Sequence, residues 1–440
     1  MFLSAGEASG DAYGASLIAT LRRHLPAATY TGLGGSAMAA QGQQQTVRAE
    51  DVAVMGVTEI IRHIPTIYAS YRRLVASIKK QKPDAAVLID FPDVNFRLAK
   101  HLHRAGVPVI WFVSPQLWAW KRSRLRWVQQ RVDKMLVIFP FEERFYLDRG
   151  VDATFVGHPL AEQPPSTITR EDFAARHSLD PDKLWVALLP GSRWKEIRSN
   201  LPALHELAMT DLTSASADYT VADGPDITVP RDPAALTRYE FLLPVASTIN
   251  PAALQQYITE LNAEHLKYFG PEAATLRLTL ITGPEAARDS LTHARASVVA
   301  SGTATVLAAI VGNPFIVVYR VSALTMALAK RLVQYPEEFP HMPGPDGLQP
   351  VSMVNLIAGR RIVPELLQSR FTAANVASAL TPLLTDGPDR DAQIAALANL
   401  RARLADPTSS STAIDRVAQA VLSALTPATP SSEPVKSTSN

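Results

Sequence analysis

Cysteine is absent from all 440 residues, which removes disulfides and thiolate chemistry and fits a reducing compartment. Charge of one sign is also missing. A formal net charge of +2 provides no global field for nucleic acid, so any anion-binding surface must be local. No apolar run approaches the roughly 20 residues that span a bilayer. Met1 leads into a strand-like run without a basic leader and cleavage site, so export is not expected. A Walker lysine is lacking, which argues against a P-loop phosphotransferase. Gly32-Leu33-Gly34-Gly35 lacks the full G-x-G-x-x-G spacing and does not follow the first strand, which argues against a dinucleotide oxidoreductase. His101 and His103 stand two apart, His158 and His341 are isolated, and Asp90-x-x-Asp93 is no D-x-D. No metal site and no cofactor are expected.

What is present is a globular balance, 47% apolar and 19% charged, in a chain long enough for two ordinary domains. Ala85-Ala86-Val87-Leu88-Ile89 reads as a strand buried on both faces, and it ends abruptly in Asp90-Phe91-Pro92-Asp93. The N-terminus repeats that layout, with Phe2-Leu3-Ser4-Ala5 running into Gly6-Glu7-Ala8-Ser9-Gly10-Asp11. Apolar strands then alternate with amphipathic helices, including one over Glu59–Ile78 with a break or kink expected at Pro65. This is the pattern of a parallel, doubly wound sheet. A second series starts at Leu184–Leu189, followed by an irregular loop from Thr210 to Asp232 and helices over Ala323–Val333 and Thr372–Leu425. In such sheets chemistry collects beyond the carboxyl ends of strands, and a cleft between two such domains is where a ligand is expected.

Three motifs have both a chemical and a plain reading. Leu189-Pro190-Gly191-Ser192-Arg193 closes a strand before a helix. Gly191 and Ser192 let backbone approach an anion that Arg193 would grip, though the same residues suit a tight turn with a solvated arginine. Ala300-Ser301-Gly302-Thr303-Ala304-Thr305 does likewise, as a diphosphate-binding helix start or an ordinary cap. Trp118-Ala119-Trp120-Lys121-Arg122-Ser123-Arg124-Leu125-Arg126-Trp127 packs three tryptophans among four cations. It fits stacking on nucleic acid, contact with anionic lipid, or an aromatic stripe facing the core with a solvated basic side.

Taken in order, the motifs resemble those of one family, the bacterial lipid-A-disaccharide synthases, which are GT-B glycosyltransferases. The resemblance rests on Ala5–Asp11, Gly34–Met38, Val54–Glu59, Ile89–Asn95, Val113–Trp120, Phe139–Glu142, Val156–Pro159, Leu189–Arg193, Ala300–Thr305 and Val351–Arg360. It implies an α/β chain of GT-B architecture, with two doubly wound Rossmann-like domains facing a central cleft. It also implies an inverting transfer that joins UDP-2,3-diacylglucosamine to 2,3-diacylglucosamine 1-phosphate, forming a β-1,6-linked disaccharide 1-phosphate and UDP. Asp90 is then the expected base, with Glu7 and Asp11 beside it or substituting for it. Gly191, Ser192, Arg193, Ser301, Gly302, Thr303 and Asn355 would hold nucleotide and diphosphate. Trp118, Trp120, Arg122, Arg124, Arg126 and Trp127 would meet the membrane from which acylated substrates come. The implied location is cytoplasmic, peripheral to the inner membrane of a Gram-negative-type bacterium, with a homodimer as candidate assembly and nucleic acid not a partner.

The sequence departs from the family where Val306-Leu307 stands in place of its usual Leu-Glu, which leaves Leu307 unable to accept ribose hydroxyls. The loop at 210–232, the segment Tyr335–Leu348 and the tail after Thr426 are irregular or extra. The expected division is 1–160 as the acceptor-side domain, 161–180 as linker and 181–369 as the UDP-sugar domain. Residues 370–425 form helices that could pack back on the first domain, and 426–440 a disordered tail. Competing readings are another GT-B UDP-sugar enzyme, such as a hexosamine epimerase or peptidoglycan-precursor transferase, and a non-catalytic nucleotide-sugar or lipid-binding relative.

Overall fold

Strands covered on both faces read as short unbroken apolar runs, and such runs order this chain. The computed structural model describes all residues except 52–56, 210–237, 270–277, 323–324, 327–332, 334, 336–338, 345–346, 406–410 and 426–440, and omits the side chains of 57–64 and 268–269. The chain divides into two compact units, Met1–Glu162 with Asp406–Asn440, and Gln163–Ala405.

In the first unit β1 (Phe2–Ala5), α1 (Ala8–His24), β2 (Tyr30–Gly34), α2 (Ser36–Ala40), β3 (Gln43–Arg48) and α3 (Val57–Gln81) open the alternation. It continues through β4 (Ala86–Ile89), α4 (Pro92–Arg104), β5 (Val109–Phe112), α5 (Leu125–Arg131), β6 (Lys134–Val137), α6 (Pro140–Leu147) and β7 (Ala153–Phe155). The strands form one sheet in the order β3-β2-β1-β4-β5-β6-β7, each pair parallel. β1, β4 and β5 are buried at every residue, and on opposite faces of β5 Trp111 packs with Phe96 of α4 (4.7 Å between rings) and Phe112 with Tyr13 of α1 (5.9 Å). The glutamine-rich edge strand β3 is invisible to apolar pattern, because an edge needs no second covering. α3 runs on through Pro65 without the expected break. One lost N–H bond is outweighed by the helical turns on either side.

The second unit begins with α7 (Arg170–His177), β8 (Leu184–Leu189), α8 (Trp194–Ala208), β9 (Tyr239–Pro244), α9 (Pro251–Phe269), β10 (Leu278–Ile281) and α10 (Ala286–His293). It ends with β11 (Ala296–Ala300), α11 (Thr303–Val311), β12 (Phe315–Tyr319), α12 (Met353–Ala358), β13 (Glu365–Leu367), α13 (Ala373–Leu384) and α14 (Pro388–Leu404). Its parallel sheet has the order β10-β9-β8-β11-β12-β13. The strand order of both sheets therefore reverses at the first strand in sequence, β1 and β8, as in doubly wound folds.

Two expected boundaries differ. Within 161–180, read as linker, α7 buries Phe173 completely against Trp185 in the second unit. An amphipathic turn inside a proline-rich stretch is easily missed, since Thr169 caps it by accepting from the Asp172 N–H at 3.1 Å. α13 and α14 belong to the second unit, while α15 (Ala413–Leu425) packs on α1 of the first. Arg416 of α15 anchors there through Glu162 at 2.9 Å and the Val156 carbonyl. The loop of 210–232, most of the helix expected over 323–333 and the tail of 426–440 lie outside the described residues.

Candidate active site

In the first unit the switch point falls between β1 and β4, which pair directly. β1 delivers Glu7 and β4 delivers Asp90. Gly6 makes the junction possible: a Cβ on it would sit 2.3 Å from the Phe91 ring, so only glycine lets the two strand ends close together. Asp90 and Phe91 both adopt left-handed backbone, with φ of 45° and 47°. Such conformations persist only where neighbours impose them. Here Asn95 does so from inside α4, fully buried, with its amide donating to the carbonyls of Asp90 (2.7 Å) and Ile89 (3.3 Å) and its oxygen accepting from the Ser4 hydroxyl (2.6 Å).

Burial first, and then repulsion from Glu7, pushes the Asp90 carboxyl up to about 6, against a lowering hydrogen bond from the Phe91 backbone. The Asp90 carboxyl is thus ionised at neutral pH yet more basic than an ordinary aspartate. Tyr13 of α1 feels the same charge; burial, and then Asp90, raises its phenol to about 12, so it stays protonated. Glu7 is exposed at the rim. Asp11 is not equivalent to either. Its oxygens accept from the N–H groups of Gly35 (2.7 Å), Ala37 (2.9 Å) and Met38 (3.1 Å), which holds the start of α2. A buried carboxylate whose oxygens are taken up by three backbone donors is committed to holding them, so the geometry makes Asp11 a positioning residue for the Gly34-Gly35 turn.

A second acid was not anticipated. Glu142 of α6 is buried, accepts from the Ser114 hydroxyl (2.7 Å), the Trp118 indole N–H (3.3 Å) and the Phe139 N–H (3.3 Å), and is raised by desolvation to about 8. It is neutral at pH 7 and ties the loop after β5 to α6. In the sequence Glu142 closes the Phe139–Glu142 motif, and its place in the first turn after Pro140 reads as a routine helix-start carboxylate. His158, fully buried, is held near 4 by desolvation and accepts the Leu160 N–H at Nδ1 (3.2 Å), so it is neutral.

The aromatic and basic segment divides. Trp118 is buried on Glu142 and edge-on to Phe141 (5.2 Å), which corrects its expected place at a membrane surface: its indole N–H is spent inside. Arg122 donates to the Trp118 carbonyl (3.4 Å), and Arg124 pairs with Asp93 (2.7 Å). Trp127 is half-buried, edge-on to Phe96 at 5.6 Å. Trp120, 46% exposed beneath the Lys121 ammonium, and Arg126 remain at the surface.

In the second unit the switch point lies between β8 and β11. After β8, Gly191 has φ of 129° and leaves room for the Glu196 side chain, which a Cβ would strike at 2.5 Å. Glu196 accepts from the N–H groups of Ser192 (2.9 Å) and Arg193 (3.3 Å) and pairs with the Arg193 guanidinium (3.4 Å). A carboxylate thus already sits on the donors assigned to an anion. After β11, Gly302 caps α11 with Thr303 exposed at its first turn, and Ser301 reaches the Val351 carbonyl at 3.5 Å. Leu307 is half-buried on α11.

Asn355 corrects its expected role. It is fully buried, its amide donates to Val363 (3.0 Å) and Glu365 (2.8 Å), and its oxygen accepts from the N–H groups of Ile362 (2.7 Å) and Val363 (3.0 Å). Both donors and both lone pairs are used, so none is left for a ligand. With Glu365, which also accepts from Val351 and Ser352, it braces the loop beside Ser301. Among the described residues no cluster of three metal-ligating side chains occurs.

Comparison with known proteins places this geometry. The profile of the lipid-A-disaccharide synthetase family matches residues 1–221 and 253–419. A lipid-A-disaccharide synthase from Acidobacterium capsulatum is 49% identical over 426 residues, covering 96% of each chain. A crystal structure of a putative UDP-N-acetylglucosamine 2-epimerase from Listeria monocytogenes aligns with TM-score 0.55 at 10% identity over 96% of this chain and 95% of that one. The glycotransferase of kitacinnamycin gives 0.55 at 13% identity over 97% and 98%. Those structures share the fold alone, two Rossmann-like sheets in one chain as in GT-B glycosyltransferases, and the fold does not separate an epimerase from a transferase. The family match does separate them: this chain is a glycosyltransferase and belongs to the lipid-A-disaccharide synthase family.

Proposed function

We propose that the chain transfers the diacylglucosamine unit of UDP-2,3-diacylglucosamine to the 6-hydroxyl of 2,3-diacylglucosamine 1-phosphate, with inversion. Asp90 takes the proton of the acceptor hydroxyl as its oxygen bonds to the anomeric carbon, and the bond from that carbon to the diphosphate oxygen breaks. UDP leaves with the electron pair. The single observation that carries this is the Asp90 carboxyl at the β1–β4 switch point, raised to about 6 and beside Glu7. A base poised near the working pH combines an ionised state with useful basicity. Glu7 orients the acceptor's hydroxyls, and the neutral Tyr13 keeps a donor near Asp90. Asp11, Asn95 and Glu142 position the loops.

In the second unit Arg193 and the N–H groups of Gly191, Ser192, Gly302 and Thr303 receive the diphosphate charge as it develops, while the Ser301 N–H is spent on the Val318 carbonyl (3.0 Å) and Ser301 shapes the loop. Glu196 must yield some of these donors to do so. Asn355 supports the loop indirectly. The acylated substrates argue for work at a membrane surface, cytoplasmic and peripheral to an inner membrane. Among the described residues no helix is long and apolar enough to cross one. Trp120, Lys121 and Arg126 are the exposed members of the aromatic segment suited to that contact.

Incubation of the protein with both acylated glucosamine substrates, followed by mass analysis, tests the proposal. A disaccharide 1-phosphate and stoichiometric UDP are expected. Isomerised UDP-sugar without a disaccharide would overturn it.

A further inference from the structure

A cavity of about 300 Å³ opens in the first unit between α3, α4 and α5, apart from the switch point. Arg97 and Lys100 of α4 line it together with Arg124 and Arg131 of the α5 segment. Asp93 is the one carboxylate on its wall, and Arg124 already neutralises it at 2.7 Å. Arg97 and Lys100 are exposed and have no carboxylate partner among the described residues. The cations crowd one another. Burial, then Arg104 and Arg126, lowers Arg131, while His101 is lowered by burial and then by Lys79, Arg104 and Lys100. Left alone, the three cations that remain beside the Arg124–Asp93 pair repel. An anion would relieve them.

The walls between the cations are aromatic. Trp127 lies under the guanidinium groups of Arg124 (5.6 Å) and Arg131 (5.2 Å), Phe96 lies under Arg124 (5.8 Å), and the Tyr71 hydroxyl meets His101 Nε2 at 3.0 Å. Cation–π contact, together with the hydrogen bonds from Arg131 to the Phe96 carbonyl (3.2 Å) and from Arg124 to Asp93 (2.7 Å), holds the two guanidinium groups in place, and their remaining N–H groups suit phosphate oxygens. Tyr68, 59% exposed, stands with its ring 6.5 Å from Tyr71 and adds an amphipathic aromatic at the rim. Cations inside and tyrosine outside match the depth profile of a lipid headgroup region better than that of bulk water.

We propose that this cavity binds the phosphate of an anionic phospholipid headgroup, and that it seats the first unit on the membrane. This rests on the membrane reading above only for the source of the phosphate. It accounts for the basic aromatic segment without Trp118: the segment builds the wall of a pocket for one headgroup.

The test uses the full chain and sedimenting vesicles of phosphatidylcholine, with or without phosphatidylglycerol. The wild type should bind the anionic vesicles, less so as salt rises, and bind neutral ones far more weakly. Arg97→Gln with Lys100→Gln should weaken anionic binding about thirty-fold, from about 1 kcal/mol for each basic residue near the surface. The charge-preserving pair Arg97→Lys with Lys100→Arg should retain most of it. The exposed pair Arg48→Gln with Arg144→Gln removes equal charge elsewhere on the unit and should have little effect. Equal wild-type binding to both vesicle types would leave membrane association standing and overturn the headgroup pocket. Equal losses in the two glutamine pairs would reduce the effect to net charge, and also overturn it. Calorimetry with glycerol 3-phosphate separates the sources. Saturable binding that the pocket variant loses, without anionic-vesicle binding by the wild type, would assign the pocket to a soluble phosphate ester and overturn the lipid assignment.

Discussion

The two switch points of this chain share a strand order and have opposite chemistry. Where β1 meets β4, carboxylates gather: Asp90 is half-buried, raised to about 6, and repelled by Glu7. Where β8 meets β11, glycine loops present N–H groups and an arginine, and a carboxylate, Glu196, is bound by them. One backbone plan therefore supplies a proton acceptor in one unit and an anion holder in the other. The plan only locates the loops. What differs is whether the residue after the strand brings its own charge or exposes backbone donors.

Removing the charge from the acidic switch point is the hardest test of that contrast. Asp90→Asn should cut turnover by roughly 10²–10⁴-fold, the usual scale for a lost general base. Asparagine accepts left-handed backbone, so the fold should hold. A folded carboxyl near 6, above its ordinary value, contributes stability that is present at low pH and lost as pH rises through 6. At pH 7 the asparagine variant should therefore unfold no lower than wild type in a thermal melt. Near-normal turnover in such a protein would remove Asp90 from the chemistry.

Asp11 should behave in the opposite way. Asp11→Asn replaces one of the two accepting oxygens with an amide donor, which leaves at least one of the three backbone N–H groups unsatisfied and should cost on the order of 1–3 kcal/mol in denaturant unfolding. A stable variant with abolished turnover would instead return Asp11 to the catalytic group. Glu142→Gln should alter a pH dependence. Because the buried acid is raised to about 8, its contribution is full below the ordinary glutamate range and lost as pH rises through 8. Melting midpoints of the wild type should fall across that window and those of the variant should stay flatter. The smallest effect is expected for Glu7→Gln. Relieving its repulsion should move the acidic limb of the pH–rate profile below about 6, and an unmoved limb would show that burial alone sets Asp90.

Much of this contrast is legible in the amino-acid order. A doubly covered strand is an apolar run with no polar interruption, so Asp90 and Glu7 stand out as the first charges after β4 and β1. Glycine loops after β8 and β11 stand out for the same reason. What hides is where a polar side chain spends its hydrogen bonds. Asn355 sits in a family motif, yet all four of its bonds are internal, and motif membership does not distinguish touching a ligand from bracing a loop. Glu142 reads as a solvated helix start because its burial depends on Ser114 and Trp118, some two dozen residues earlier. Trp118 reads as surface for the complementary reason. β3 and α7 lack apolar periodicity, one being an edge and the other lying in a proline-rich stretch.

The return of α15 to the first unit has a consequence for the order of synthesis. Ala413 donates to Glu162 across 251 residues of chain, and Arg416 closes the same contact. On the ribosome the first unit emerges early, but its last helix is translated only after the whole second unit. At about 5–20 residues per second that delay is roughly 10–50 s. During it, the face of α1 that α15 will cover is open. A nascent chain released early would present that face bare, so full-length translation acts as the checkpoint for finishing the half of the molecule made first.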